Sequence, residues 1–179
     1  MKAFNKIVEE VLEVGNKLDE QQIELVVNEV QNANHIFFAG EGRSGLMLRA
    51  FANRLLHLDF SVSIVGDITS PHTKRGDLLL IGSGSGTTAS LVNLAIIAKN
   101  NSVKIGLITT NPESIIGQLA DLVIVVPTQS KDTQMATLQP MGSLFEQTTL
   151  FIYDSMILIL MKKMNESNQT MSKRHTDLE

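Results

Sequence analysis

The chain has 179 residues, the size of one domain with one core, and its 15 Lys and Arg against 19 Asp and Glu leave a net charge of −4. No basic block stands ready to neutralise a phosphate backbone, so nucleic acid is not an expected partner. The absence of cysteine excludes a disulfide framework, a cysteine metal site and a thiol nucleophile.

In chain order, Phe4, Ile7, Val11, Val14 and Leu18 recur at helical spacing and predict one apolar stripe. Ile23, Val26, Val27 and Val30 predict a second helix. Residues 1–33 thus read as a helical hairpin that packs on its own domain or on a partner subunit and carries no chemistry. The N-terminal segment is charged throughout and has no unbroken apolar run of the kind a signal peptide needs.

From residue 35 the pattern becomes short apolar runs ended by Gly, Ser or Asp. They lie at 35–40, 61–67, 77–83, 103–110 and 121–127, apolar on both faces and rich in Val and Ile. Helical stretches at 44–58, 87–99 and 113–119 separate most of them. The alternation predicts an α/β fold: a three-layer α/β/α arrangement with a five-stranded parallel sheet in the flavodoxin-like order 2-1-3-4-5. A polar loop over 127–142, longer than a structural connection needs, precedes a long apolar helix from Ser143 to Met164. The α/β core spans 35–165, and 166–179 forms a C-terminal arm or short helix, all within one domain. The segment LFIYDSMILILM is interrupted by Asp154 and reads as too short to span a bilayer, so a cytoplasmic chain with no membrane partner is expected.

In an open parallel sheet, ligands bind beyond the carboxyl ends of the strands, where the strand order reverses. Two loops there are rich in small hydrogen-bonding residues: GEGRSG after the first strand and GSGSGTTAS after the third. Both open helices, whose first turns offer free N–H groups and a positive dipole end. Gly42, Arg43 and Ser44 in the first loop are the candidate ligands of an anion, with Ser83, Gly84, Ser85, Gly86, Thr87 and Thr88 in the second. Gly40, Gly42 and Gly45 also spell G-x-G-x-x-G, and Asp67 stands near the place of a dinucleotide fold's acidic residue. A dinucleotide gives no reason for the second serine loop, and the chain lacks room for a separate substrate domain. The two loops together favour a sugar phosphate, and the match of the third glycine is expected to be coincidental. Arg43 offers a planar fork to phosphate, or an ion pair to Glu41 or Glu146.

GEGRSG followed by GSGSGTT resembles the phosphosugar-binding loops of the sugar isomerase (SIS) domain family. GRSGLMLRAFANRLLHLDF, DLLLIGSGSG, QPMGSLFEQ and the terminal RHTDLE resemble the 6-phospho-3-hexuloisomerase group within it, over nearly the whole chain. Thr87 stands where that group commonly has Glu. The resemblance implies an isomerase that converts D-arabino-hex-3-ulose 6-phosphate to fructose 6-phosphate through an enediol, with no metal and no organic cofactor. It also implies a homotetramer and a place in formaldehyde assimilation by the ribulose monophosphate pathway, after a 3-hexulose-6-phosphate synthase. Another aldose–ketose phosphosugar isomerase and a non-catalytic phosphosugar-binding regulator are the alternatives.

Moving a carbonyl between adjacent carbons needs a base for the carbon-bound proton, a task that suits a carboxylate. Glu146 is the candidate: it lies near the start of the long helix and at the position that the resemblance implies for the proton acceptor. Arg49, Asn53 and His57 recur every four residues on the predicted polar face of the helix after the first loop. His57 is a candidate for assisting ring opening or proton transfer, and His175 for reaching a neighbouring subunit's site. His35 and His72 read as strand-start and loop residues, and the histidines show no metal-ligand spacing.

Overall fold

A computed structural model describes residues 2–128 and 137–178. Its elements are α1 (Lys2–Gly15), α2 (Glu20–Asn32), β1 (Ile36–Gly40), α3 (Gly42–His57), β2 (Val62–Ile64) and β3 (Leu78–Gly82). They continue with α4 (Ala89–Asn100), β4 (Lys104–Thr109), α5 (Ile115–Leu119), β5 (Leu122–Val125), α6 (Ser143–Met164) and α7 (Asn168–Ser172). The strands pair in parallel in the order β2-β1-β3-β4-β5, as predicted. Positions 129–136 of the predicted polar loop lie outside the described residues.

The side-chain period of two divides each strand between two apolar layers. Ile36, Phe38, Leu78, Leu80, Ile108 and Ile124 pack with α2, α3 and α6. Phe37, Ala39, Leu79, Ile81, Ile105 and Leu107 pack with α4 and α5 on the other face. Apolar residues on both faces are therefore the mark of a sheet covered on both sides. β2 is shorter than predicted and only half-buried, because it is an edge strand with helix cover on fewer sides.

The sequence reading needs two corrections here. The first concerns α1: Phe4 is 67% exposed whereas Val14 is fully buried, so the predicted stripe meets the core only toward the end of the helix. The second concerns α6, which has 22 residues and is long and apolar enough, by length and composition, to cross a membrane. Apolar turns on both sides of Asp154 extend it beyond the segment read from the sequence. In this fold Leu144, Ile152, Tyr153, Met156 and Leu160 bury one side of it in the core. Phe51 of α3 stacks on Tyr153 at 4.9 Å between ring centroids and fixes α6 against α3.

His35 joins β1 to β2. Its ring nitrogens lie 2.7 Å from the Ser61 hydroxyl and 2.9 Å from that of Ser63. Burial holds its imidazole below the ordinary value, against the opposing pull of the Asp77 carboxylate. The unfolded chain therefore takes up the proton first as pH falls below about 6.5, and folding stability declines from there down to the lowered folded value. Urea unfolding at pH 7.5 and 5.5 is expected to show a larger loss for the parent chain than for His35→Gln; equal losses would remove His35 as the cause.

Candidate active site

The register pairs Gly40 at the end of β1 with Gly82 at the end of β3, so the two glycine-serine loops leave the sheet side by side. The first turns of α3 and α4 follow, and the Ser90 hydroxyl of α4 donates to Glu41 before α3 at 2.8 Å. A side chain caps α2, α5 and α7 at their N-termini, through Asp19, Ser114 and Ser167 respectively. α3, α4 and α6 begin at Glu41, Thr88 and Gly142 with no side-chain cap. Their leading N–H groups are thus left for another acceptor.

Gly45 corrects the expectation that its match to the fingerprint is coincidental. A methyl group there would overlap the Gly40 carbonyl oxygen and stand 2.8 Å from the carbonyl carbon. Only glycine lets α3 lie this close against the end of β1, which is the part the third glycine plays in dinucleotide folds. The helix–strand packing is shared with those folds even though the second loop is not.

A pocket of about 430 Å³ opens beyond these strand ends. Ser44 of α3, Gly84 and Ser85 of the second loop, and Gly142, Phe145 and Glu146 around the start of α6 all line it. The Ser44 hydroxyl makes no hydrogen bond to another described residue. The Ser85 hydroxyl oxygen accepts from the Thr87 N–H at 3.3 Å and from its hydroxyl at 3.2 Å, which leaves its own proton to be donated. The Gly84 carbonyl accepts from the hydroxyls of Thr109 and Thr110 at 3.0 and 2.8 Å, and these bonds hold the loop against the end of β4.

Glu146 is only 13% exposed, and its Oε2 lies 3.0 Å from Nε of Arg43. That oxygen is buried and receives no well-aligned hydrogen bond, so the contact is one of charge without a directed N–H. Arg43 is half-exposed and donates through an Nη to the Ser143 hydroxyl at 3.1 Å, which bridges α3 to the first turn of α6. Of the two ion pairs open to Arg43, the structure forms the one with Glu146.

Other predicted residues have different places. The Ser83 hydroxyl is buried and accepts from the Gly86 N–H at 3.1 Å, and Gly86 has φ +64° against Ser114, so both residues shape the loop. Gly42 and Thr87 are exposed beside the pocket, and Thr88 stands at the N-cap of α4. His57 departs from its predicted polar face. It is only 4% exposed, stacks on His175 at 5.3 Å, and lies at the opposite end of α3 from Ser44, roughly 20 Å along the helix. Arg174 locks this arrangement by donating to the His57 carbonyl at 3.0 Å and by pairing with Glu166 at 2.9 Å. Neither histidine lines the pocket of its own chain.

The sequence reading passed over Thr110, Thr128, Thr137 and Gln139, which also line the pocket. Gln139 is the first residue of the QPMG motif and Thr137 lies two positions before it, and the length of the polar loop was the signal that marked this region.

The SIS domain family matches residues 29–157, and the chain belongs to that family. The 3-hexulose-6-phosphate isomerase of Bacillus subtilis is 44% identical, with 97% of this chain and 100% of that protein covered. The protein of the same name from Mycobacterium gastri is 36% identical, with 96% and 87% covered. A crystal structure of a hypothetical protein from Methanococcus jannaschii, for which a 3-hexulose-6-phosphate isomerase function was inferred, superposes with a TM-score of 0.86. It is 33% identical to this chain, and all of both chains is covered.

Proposed function

We propose that this chain is an isomerase that interconverts D-arabino-hex-3-ulose 6-phosphate and fructose 6-phosphate. The observation that carries the reading is that two serine loops, the N-termini of α3 and α6 without side-chain caps and one poorly solvated carboxylate meet at a single pocket. Its volume of about 430 Å³ suits a small ligand. The names of the relatives add the particular sugar.

In this mechanism Ser44, Ser85 and the N–H groups of α3 and α4 hold the phosphate. Gly42, Arg43, Gly84, Thr87 and Thr88 complete that cradle, with Ser83 and Gly86 setting its shape. The phosphate draws the Arg43 fork toward it, because a dianion competes well with a single carboxylate for a guanidinium. Oε2 of Glu146, released from its ion pair, takes the proton from C2 of the open-chain 3-ulose. The C2–H electron pair becomes the C2–C3 double bond of an enediol as the C3 carbonyl oxygen gains a proton. Return of a proton to C3, with loss of the O2 proton, gives the 2-ketose. No metal or organic cofactor has a part in these steps.

The chain acts in this reading as one domain in a cytoplasmic homotetramer, with neither membrane nor nucleic acid as partner. It works downstream of a 3-hexulose-6-phosphate synthase in formaldehyde assimilation. The end of α3 that bears His57, with His175 stacked on it, serves a neighbouring subunit's pocket. The assay is direct: hexulose phosphate made in place by the synthase should yield fructose 6-phosphate. Binding without turnover would favour a phosphosugar-binding regulator, and turnover of a different sugar phosphate would favour another isomerase.

Ser44→Ala combined with Ser85→Ala removes two charge-assisted donors and is expected to weaken binding of fructose 6-phosphate on the order of 10²-fold. Calorimetric titration measures it, and unchanged affinity would refute the two-loop site.

A further inference from the structure

Glu10 of α1 reaches residues that line this pocket. Its Oε2 accepts from the Thr137 hydroxyl at 2.7 Å and from Nε2 of Gln139 at 2.9 Å. Its Oε1 accepts from the Leu138 N–H at 2.8 Å. Burial alone would raise the Glu10 carboxyl, but these three hydrogen bonds outweigh it and hold the group below its ordinary value as a carboxylate.

A carboxylate can only accept, so it settles which end of the Gln139 amide faces it: the nitrogen points to Glu10 and the oxygen away. Gln139 is 8% exposed, lines the pocket, and its Oε1 is buried without a donor. Oε1 of Gln147 and Oε2 of Glu146 are in the same condition, and among the described residues these three are the whole set of such atoms. Native folds keep few buried acceptors without donors, because each costs about 1–3 kcal/mol. Here they all fall between positions 139 and 147: Gln139 and Glu146 line this pocket, and Gln147 lines a neighbouring cavity with Glu10 and Gln139. Glu146 faces Arg43 of the first serine loop, which leaves Gln139 as the acceptor of this pocket clear of that loop. A phosphate dianion has no proton to offer it, whereas a polyhydroxy chain has several.

We propose that Glu10 is a positioning residue that fixes the Gln139 carbonyl as an acceptor for a hydroxyl of the bound sugar. The pocket then has two functional sides: the serine loops take the phosphate, and the side that bears Gln139 takes the polyol. The inference rests on the phosphosugar reading above and deepens it.

The test is calorimetric titration of the full chain with two probes, fructose 6-phosphate and inorganic phosphate. Glu10→Ala is expected to weaken fructose 6-phosphate about tenfold or more while phosphate affinity stays within about twofold. Gln139→Met, which keeps the bulk and removes the acceptor, should show the same selective loss. In turnover the loss should fall mainly on KM, as for an interaction made equally in ground and transition states.

Equal weakening of both probes by Glu10→Ala would mean a merely structural role and would overturn the inference. Unchanged fructose 6-phosphate affinity in Gln139→Met would overturn it as well. A parent chain that binds neither probe would defeat both this inference and the phosphosugar reading. A parent chain that binds the sugar phosphate, shows the selective losses and fails to isomerise would defeat only the assigned reaction.

Discussion

Glu146→Gln is expected to lower turnover of the hexulose phosphate about 10²- to 10⁴-fold, the range that a positioned general base supplies. Glutamine has nearly the same shape, so the start of α6 and the walls of the pocket stay in place. What it loses is the oxygen that can take a proton from carbon. The Arg43 contact at 3.0 Å is lost as a charge pair, yet Arg43 keeps its hydrogen bond to Ser143. Because that guanidinium is half-exposed, solvent screens the pair and its loss costs no more than about 1 kcal/mol of stability. Affinity for inorganic phosphate should hold or rise slightly, since Arg43 is freed for the anion. Rate and phosphate titration on the same preparation separate these effects. A variant with the parent kcat would remove Glu146 as the base, and lost rate with lost phosphate binding would point to a collapsed pocket.

The parts of the fold that local chemistry controls were legible before the structure. Runs such as DLLLIGS are apolar on both faces because helices cover both, and α6 ends at the residues its composition suggested. Two glycine-serine loops read as one site because parallel register brings Gly40 and Gly82 together. His57 was misplaced for a reason internal to helices. Steps of four residues advance about 40° beyond a full turn, so a row that starts at exposed Arg49 has drifted roughly 80° toward the core by His57. The returning C-terminal segment then covers what that drift leaves open. Glu10 was invisible for the opposite reason: its partners lie 127 to 129 residues away, and nothing in the spacing of α1 marks one glutamate above its neighbours.

Gly45→Ala is expected to destabilise the chain by roughly 2–4 kcal/mol, against the sign that helix propensity alone predicts. Inside a helix, alanine is favoured over glycine by about 1 kcal/mol. Here the added methyl meets backbone, the Gly40 carbonyl, which cannot swing aside as a flexible side chain would. Either β1 or α3 must shift, and β1 is hydrogen-bonded on both sides, to β2 and β3. The helix is therefore the element that moves, and its first turn, with Ser44, moves with it. Gly42→Ala is the matched control: nothing lies within 4 Å of its would-be methyl, and its φ of +56° costs about 1–2 kcal/mol for a residue with a side chain. Urea unfolding should rank Gly45→Ala below Gly42→Ala, with a drop in melting temperature of about 5–15 °C for the former. Phosphate affinity should fall in Gly45→Ala even well below its melting temperature, because the same contact that packs the helix aims its N–H groups. A Gly45→Ala chain with parent stability and parent phosphate binding would show that α3 can retreat freely, and that its close seat on β1 has no part in building the site.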